Sequence, residues 1–146
     1  MTLKEFNEYL KLKVAKKQDP NLARAKSLIE ESKNKKEYLE TSLKLIPKDK
    51  LNPNVIVDQC YDILIELVRA KLQIAGYNTG SSHEAEVSFL KILGFLESEI
   101  KTMDELRYYR NGTKYYGAVL NIEYAEKIIP FMRQMHVKLL KILEKQ

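Results

Sequence analysis

The chain has 146 residues and a net charge of +5, with 45% hydrophobic and 31% charged side chains. This length suits one domain with a hydrophobic core, and the composition excludes a disordered chain. Five glycines and four prolines are few for an all-β protein, whereas abundant Lys, Leu and Glu favour helices. Cys60 is the only cysteine, which excludes a disulfide framework and a cysteine-based zinc site.

Charged residues interrupt the first 17 positions, so no signal peptide is expected. No apolar stretch approaches the roughly 20 residues of a membrane span, and we expect a cytoplasmic protein without membrane contact. Residues 1–53 carry a net charge of +5, residues 54–104 carry −4, and residues 105–146 carry +4. The basic ends permit contact with phosphate groups without requiring it.

Two sets of signals predict the first helices. Thr2 and Glu5 form a capping-box pattern, followed by an apolar stripe at helical spacing that extends to Val14. Asp19 and Pro20 then predict the start of a second helix, with Asp as its N-cap and Pro at its first position.

The middle of the chain predicts a long second helix, a linker and a central helix. Residues 30–37 are nearly all charged and predict a solvated, protruding part of the second helix. Residues 47–53 contain two prolines and predict a linker. The third helix, capped by Asn54 and ended by Gly76, is apolar on most of its circumference, which predicts a central position. Its polar residues share one strip that faces water or lines a cleft: Gln59, Asp62, Glu66, Arg69 and Gln73.

Three further helices are predicted after Gly76. Ser81 and Thr102, each followed three residues later by Glu, predict capping boxes for two of them. The last helix is predicted from Asn121 to Lys145. No strand pattern emerges, so the sequence predicts an all-α, up-and-down bundle of about five to six helices in a single domain.

The segment 107–117 departs from ordinary helix composition, because it holds four of the nine tyrosines, two arginines and a lysine. Arginine grips phosphate oxygens in two places, and tyrosine stacks on bases, so the segment suits a nucleotide or an RNA strand. The alternative is structural: Tyr108 or Tyr109 packs in the core, and the arginines form surface salt bridges.

Arg110 and Asn111 resemble the first half of the motif of HEPN domains, in which an Arg and a polar residue precede a His four to six positions later. Tyr115 and Tyr116 stand where the nuclease members of that family have His. The turn at residues 76–83 and the amphipathic last helix are also similar to the family. The resemblance covers residues 54–146 and leaves residues 1–53 as an unmatched N-terminal helical extension.

The resemblance implies a homodimer in which Arg holds the scissile phosphate and His assists metal-independent RNA cleavage. Tyr has an ordinary pKa of about 10 against about 6.5 for His, so Tyr115 and Tyr116 are poor bases near neutral pH. Phosphate binding by Arg110 survives this change, which favours binding over fast cleavage. The expected cleft is lined by Arg107, Arg110, Asn111 and Tyr116, with Lys114 as a further binding residue.

Two acids and the two histidines have alternative roles. Asp62 and Glu66 pair along their own helix with Arg69, or, as the resemblance implies, one of them orients Arg110 in the cleft. His83 is a helix-start residue with a capping or surface role, or a binding residue of the cleft. His136 is expected in the core or in an interface. Nothing in the spacing of these residues supports a metal site, and no cofactor is expected.

The leading hypothesis is a HEPN-type homodimer that binds RNA or a nucleotide, as a weak ribonuclease or as the toxin-like half of a toxin–antitoxin pair. In some family pairs a minimal nucleotidyltransferase modifies a tyrosine near the motif, which makes Tyr115 and Tyr116 candidate targets. The alternative is a non-catalytic adaptor that binds a protein partner, and a DNA-binding regulator ranks third. The central and last helices are the expected dimer surface, because both are unusually apolar.

Overall fold

The computed structural model describes residues 3–115 and 119–145. Six α-helices and one pair of very short strands make up this part of the chain, which confirms the predicted all-α helical bundle. In chain order the elements are α1 (Phe6–Lys11), β1 (Lys16–Lys17), α2 (Leu22–Leu45), a 3-10 turn (Lys48–Lys50), α3 (Pro53–Ala75), β2 (Tyr77–Asn78), α4 (His83–Ile92), α5 (Glu97–Tyr115) and α6 (Ile122–Glu144). Among the helices described, none is long and apolar enough to cross a membrane.

The helix α3 lies at the centre of the bundle, where it contacts α2, α4, α5 and α6. The consecutive residues Ile63, Leu64 and Ile65 are all fully buried. Consecutive positions point about 100° apart around a helix, so such burial requires neighbours on several sides. The predicted central position is therefore confirmed. Most of the apolar circumference of α3 is covered within one chain, with Val55 exposed, and the dimer surface expected on α3 and α6 stays a prediction.

The first 53 residues contribute to the same hydrophobic core as the rest. Phe6 of α1 packs edge-on against Tyr77 and Phe89, with ring centroids 5.1 and 4.9 Å apart. In α2, Leu28 and Leu39 are buried in the core cluster. The helix α2 thus covers one side of α3 along its length.

The charged stretch 30–37 of α2 does not protrude, which contradicts the sequence expectation. Ser32 is fully buried and its hydroxyl donates a hydrogen bond of 2.6 Å to the carbonyl oxygen of Ile63. One turn later, Lys35 donates to Glu66 of α3. The stretch is polar outside, yet it packs on α3 through these two contacts.

The strand pair connects the N-terminal segment to the turn after α3, although the sequence shows no strand pattern. Lys16 and Lys17 pair antiparallel with Asn78 and Tyr77. Beside this pair, the backbone N–H of Gln18 donates to the carbonyl oxygen of Gly76 at 2.9 Å. A pairing of two residues leaves no alternating pattern that a sequence could display.

Three helix starts differ from their predictions by one or two residues. Asn21 caps α2 in place of Asp19 and Pro20, Asn52 caps α3 in place of Asn54, and Ser82 caps α4 in place of Ser81. Two predicted helix boundaries are confirmed: Gly76 ends α3 in the left-handed conformation, and Asn121 is the N-cap of α6.

The capping boxes predicted for α1 and α5 are wrong. The helix α5 begins at Glu97, so Thr102 lies inside it and its hydroxyl donates to the carbonyl oxygen of Ser98. The helix α1 has Glu5 as its N-cap without a side-chain capping bond, and Thr2 lies outside the described residues. This helix ends at Lys11, and Val14 is 40% exposed and therefore does not extend a buried stripe.

Candidate functional site

Arg110, in the C-terminal half of α5, forms an ion pair with Asp62 of α3. Its Nε donates to Asp62 Oδ1 at 2.8 Å, and its Nη2 donates to Oδ2 at 3.3 Å. The two side chains are 18% and 27% exposed, respectively. A bidentate pair of this kind fixes the plane of the guanidinium group, and the remaining exposure leaves that group within reach of solvent. Of the two acids predicted to orient Arg110, Asp62 makes the contact.

Glu66, the second predicted acid, pairs instead with Lys35 of α2. Its side chain is buried, and burial raises the pKa of its carboxyl while Lys35 acts in the opposite direction. Within the described residues, Glu66 Oε2 has no hydrogen-bond partner. Glu66 therefore belongs to the contact between α2 and α3.

Tyr61 and His83 form the next layer of the site. The Tyr61 ring is buried in α3, and its hydroxyl oxygen lies 2.9 Å from Nδ1 of His83, the first residue of α4. The two rings are nearly parallel, with centroids 5.8 Å apart. The Cζ atom of Arg110 lies 6.0 Å from the Tyr61 ring centroid, at the edge of the cation–π range. Tyr61 thus contacts both the arginine of the motif and the histidine of another helix.

Arg69 of α3 and Glu86 of α4 form an ion pair next to His83. Arg69 Nε and Nη2 donate to the two carboxylate oxygens of Glu86 at 2.7 and 3.1 Å. Glu86 is 3% exposed and also accepts a hydrogen bond of 3.4 Å from the Thr79 hydroxyl. Arg69 Nη2 lies 3.5 Å from Nε2 of His83. Because a guanidinium group can only donate, this contact suits a neutral imidazole whose Nε2 accepts and whose Nδ1–H donates to Tyr61.

The electrostatics of the site keep His83 neutral. Burial lowers the pKa of its imidazole below the ordinary value, Glu86 opposes this, and Arg69 and Arg110 lower it further. Burial also raises the pKa of the Tyr61 hydroxyl far above its ordinary value, so that group stays protonated. A neutral imidazole beside an arginine can accept a proton at neutral pH, whereas the Tyr61 hydroxyl is limited to hydrogen bonding.

Arg107 lies one turn before Arg110 on α5, but it is 6% exposed. Its Nε donates to Asp104 at 2.7 Å, and its Nη1 lies 3.8 Å from Glu84 of α4. The sequence predicts that Arg107 lines the binding cleft. In the structure most of its surface is covered, and its contacts tie α5 to α4.

A row of tyrosines lies on the surface of α5 and α6. Tyr108 is 64% exposed and packs edge-on against Tyr109, with a centroid distance of 5.8 Å. Tyr109 packs in the same manner on Tyr124 of α6 at 5.2 Å. A shallow cavity of about 550 Å³ opens between Tyr108, Tyr109 and Lys101. The structural alternative, in which one of these tyrosines fills the core, is not what the described residues show, since Tyr109 is only half-buried and Tyr108 is exposed.

The remaining predicted residues lie at or beyond the end of α5. Asn111 is half-buried, one residue after Arg110. Lys114 and Tyr115 lie in the last turn of the helix. Tyr116 lies outside the described residues.

Neither histidine takes part in a metal site. Within residues 3–115 and 119–145, no group of three or more His, Cys, Asp or Glu side chains is placed to hold a metal ion. His136 lies on the buried face of α6, as the sequence predicted, and is 7% exposed. Burial lowers the pKa of its imidazole to about 4, and Lys36 and Lys33 contribute to this shift.

Three members of the site were not among the predicted site residues: Tyr61, Arg69 and Glu86. In the sequence, Tyr61 is part of the apolar pattern of α3, Arg69 is one of five polar residues in a strip, and Glu86 is one of two acids in the first turn of α4. Only the packing of α4 on α3 brings them together.

Comparison of the chain with protein-family models, curated proteins and solved structures found no match.

Proposed function

We propose that this chain binds RNA or a nucleotide at the surface around Arg110, with a guanidinium group that Asp62 orients as the phosphate ligand. The supporting observation is the placement of Arg110 between an acid that holds it, the ring of Tyr61 and the neutral imidazole of His83. This arrangement joins a phosphate-binding group to a proton acceptor, which is the chemistry that the resemblance to HEPN domains implies.

The charges of the site favour modest affinity. Asp62 compensates Arg110, and Glu86 compensates Arg69, so a phosphate group must compete with Asp62 for the Arg110 guanidinium. The positive charge of residues 1–53 and 105–146 adds a long-range attraction for polyanions. Binding is therefore expected to weaken steeply as salt concentration rises.

The tyrosine row supplies the contact for bases. Tyr108 presents an exposed ring, and Tyr109 and Tyr124 extend the row toward α6. Stacking of a base on such a ring contributes about 1–3 kcal/mol and tolerates any base. An unpaired strand whose backbone contacts Arg110 and whose bases reach this row is the substrate class that the surface fits best.

Slow, metal-independent cleavage is the second part of the proposal. His83 is the described residue that combines a neutral imidazole with proximity to Arg110, and it stands on a different helix from the motif. In this proposal Nε2 of His83 gives up its 3.5 Å contact with Arg69 and accepts the proton of the 2′-hydroxyl. The 2′-oxygen then bonds to the phosphorus while the P–O5′ bond breaks, and the leaving 5′-oxygen takes a proton from water. The homodimer and the nucleotidyltransferase partner remain further expectations of the HEPN resemblance.

Binding is tested by fluorescence anisotropy with a labelled single-stranded RNA in the presence of EDTA. Arg110→Ala is expected to weaken binding about tenfold, which corresponds to the loss of one charged phosphate contact. Lys26→Ala removes a positive charge from an exposed side chain of α2 that does not border the tyrosine row, and should change affinity less than twofold. Asp62→Asn, which removes the competing acid, should strengthen binding. Equal affinities for wild type and Arg110→Ala would exclude the proposal.

Cleavage of the same RNA is followed on gels over hours. Metal-independent product that His83→Ala abolishes while binding persists would support the proton-transfer role. Binding without cleavage would restrict the function to recognition. Absence of both activities would favour the alternative of a protein-binding adaptor.

A further inference from the structure

A second cavity lies on the other side of the Arg69–Glu86 pair from His83. It has a volume of about 230 Å³ and is bordered by the first turns of α2, the last turns of α3 and the turn that follows β2. Arg24 of α2, Gln73 of α3 and Asn78 of β2 contribute polar groups to its wall. None of the residues considered for RNA binding except the Arg69–Glu86 pair borders this cavity.

The charge of the cavity wall is positive. Arg69 is compensated by Glu86, with two short hydrogen bonds between them. Arg24 also lines the cavity, and in the part of the chain that the structure describes no carboxylate or carbonyl group pairs with its guanidinium group. Only the backbone N–H of Arg24 is engaged, by the side chain of Asn21 that caps α2. The exposed side chain of Arg24 therefore brings a guanidinium group without an acidic partner among the described residues to the edge of a partly open, polar space.

The apolar part of the cavity wall is small. Leu28 of α2 and Leu72 of α3 are 6% and 2% exposed and present little surface, so the half-buried ring of Tyr77 is the main apolar group of the wall. The position of Tyr77 is fixed by its pairing with Lys17 and by its edge-on contact with Phe6. A ligand that fits both surfaces carries one negative charge and a small apolar body.

We propose that this cavity binds a compact oxyanion, a carboxylate or a phosphate monoester with a small apolar group, and that Arg24 is its anion-binding residue. The guanidinium group of Arg24 donates two hydrogen bonds to the oxyanion, and the small apolar group lies against the ring of Tyr77. The site is independent of RNA binding at Arg110. It adjoins that surface through Glu86, which contacts His83 with an Oε1–Nδ1 distance of 3.7 Å.

Isothermal titration calorimetry with phenyl phosphate and with benzoate tests this site. Both anions share an aromatic body that the cavity volume admits, and comparison of the two distinguishes phosphate from carboxylate recognition. Benzyl alcohol, which has the same body without the charge, should not bind. Wild type is expected to bind at least one anion at a single saturable site.

Arg24→Gln should weaken that binding at least tenfold. Lys26→Gln is the matched control, because it removes the same charge two residues along α2 from an exposed side chain that does not border the cavity. Circular dichroism verifies the fold of both variants. If wild type binds neither anion, or if Arg24→Gln binds as tightly as wild type, the proposal is wrong. RNA binding is expected to persist in Arg24→Gln, so the two sites fail or succeed separately.

Discussion

The pair formed by Arg69 and Glu86 allows a quantitative prediction for the variant Glu86→Gln. The amide keeps the shape of the side chain, but it loses the charge and turns an NH₂ group toward the N–H groups of Arg69. Removal of one member of a fully buried pair costs about 3–5 kcal/mol, because the other charge remains without compensation. Glu86 is 4% exposed at its side chain, whereas Arg69 is 32% exposed and can regain some hydration.

We therefore expect Glu86→Gln to lower the free energy of unfolding by about 2–3 kcal/mol. For a chain of this size that change corresponds to a decrease of about 5–10 °C in Tm. Urea denaturation followed by circular dichroism gives the free energy, and a thermal scan gives Tm. The reasoning assumes two-state unfolding, which coincident transitions from ellipticity and tyrosine fluorescence would verify.

Glu84→Gln is the control for this experiment. Glu84 lies two residues earlier on α4, its side chain is 39% exposed, and its contacts with Arg107 and Tyr9 are long, at 3.8 and 3.4 Å. Its loss should cost less than about 1 kcal/mol. If the free energy of unfolding of Glu86→Gln lies within about 0.5 kcal/mol of the wild-type value, which is the size of a surface ion pair, the Arg69–Glu86 pair does not stabilise this part of the bundle.

Two further predictions concern the backbone and the pH dependence of stability. Gly76→Ala places a Cβ 2.7 Å from the carbonyl oxygen of Gln18 at a φ of +84° and should lower the free energy of unfolding by about 2–3 kcal/mol. Gly94→Ala, at a φ of +89° with open space around it, should lower it by about 1–2 kcal/mol. Equal losses in urea denaturation would refute the clash with Gln18. The folded-state pKa of His136, about 4, lies below the unfolded value of 6.5, so the unfolded chain binds the proton first and stability should fall by about 3 kcal/mol as the pH decreases from 6.5 to 4. The variant His136→Leu should remove that part of the slope in urea titrations across this range, and an unchanged slope would contradict the assignment.

Helix type and order could be predicted from the sequence, but several helix starts could not. Asn52 and Asn54 flank Pro53, and Ser81 and Ser82 are adjacent, so each start offered two residues with equal capping chemistry. The start of α5 shows a different difficulty. Its first turn is capped from inside, because Glu99 Oε1 accepts the backbone N–H of Leu96 at 2.9 Å, and no Ser, Thr, Asp or Asn precedes it.

The candidate site divides in the same way. The contact between Asp62 and Arg110, 48 positions apart, was one of two alternatives left open by the sequence, and it came from the resemblance to HEPN domains. The layer of Tyr61, His83, Arg69 and Glu86 could not be predicted, since it depends on how α4 packs on α3. Tyr61 illustrates the reason: its ring satisfies the apolar pattern of a buried helix, and only the position of its hydroxyl group shows that it also takes part in a polar contact.

The burial of α3 on several sides has a consequence for synthesis of the chain. The helices α2 and α3 follow each other and can pair early, but α6 ends 69 residues after α3. At roughly 5–20 residues per second, the side of α3 that α6 covers stays open for about 3–14 s. During that interval the apolar residues on that side of α3 are exposed to other nascent chains. Overexpression, which raises the number of such chains, should therefore produce aggregates that form before the bundle closes and not by later unfolding.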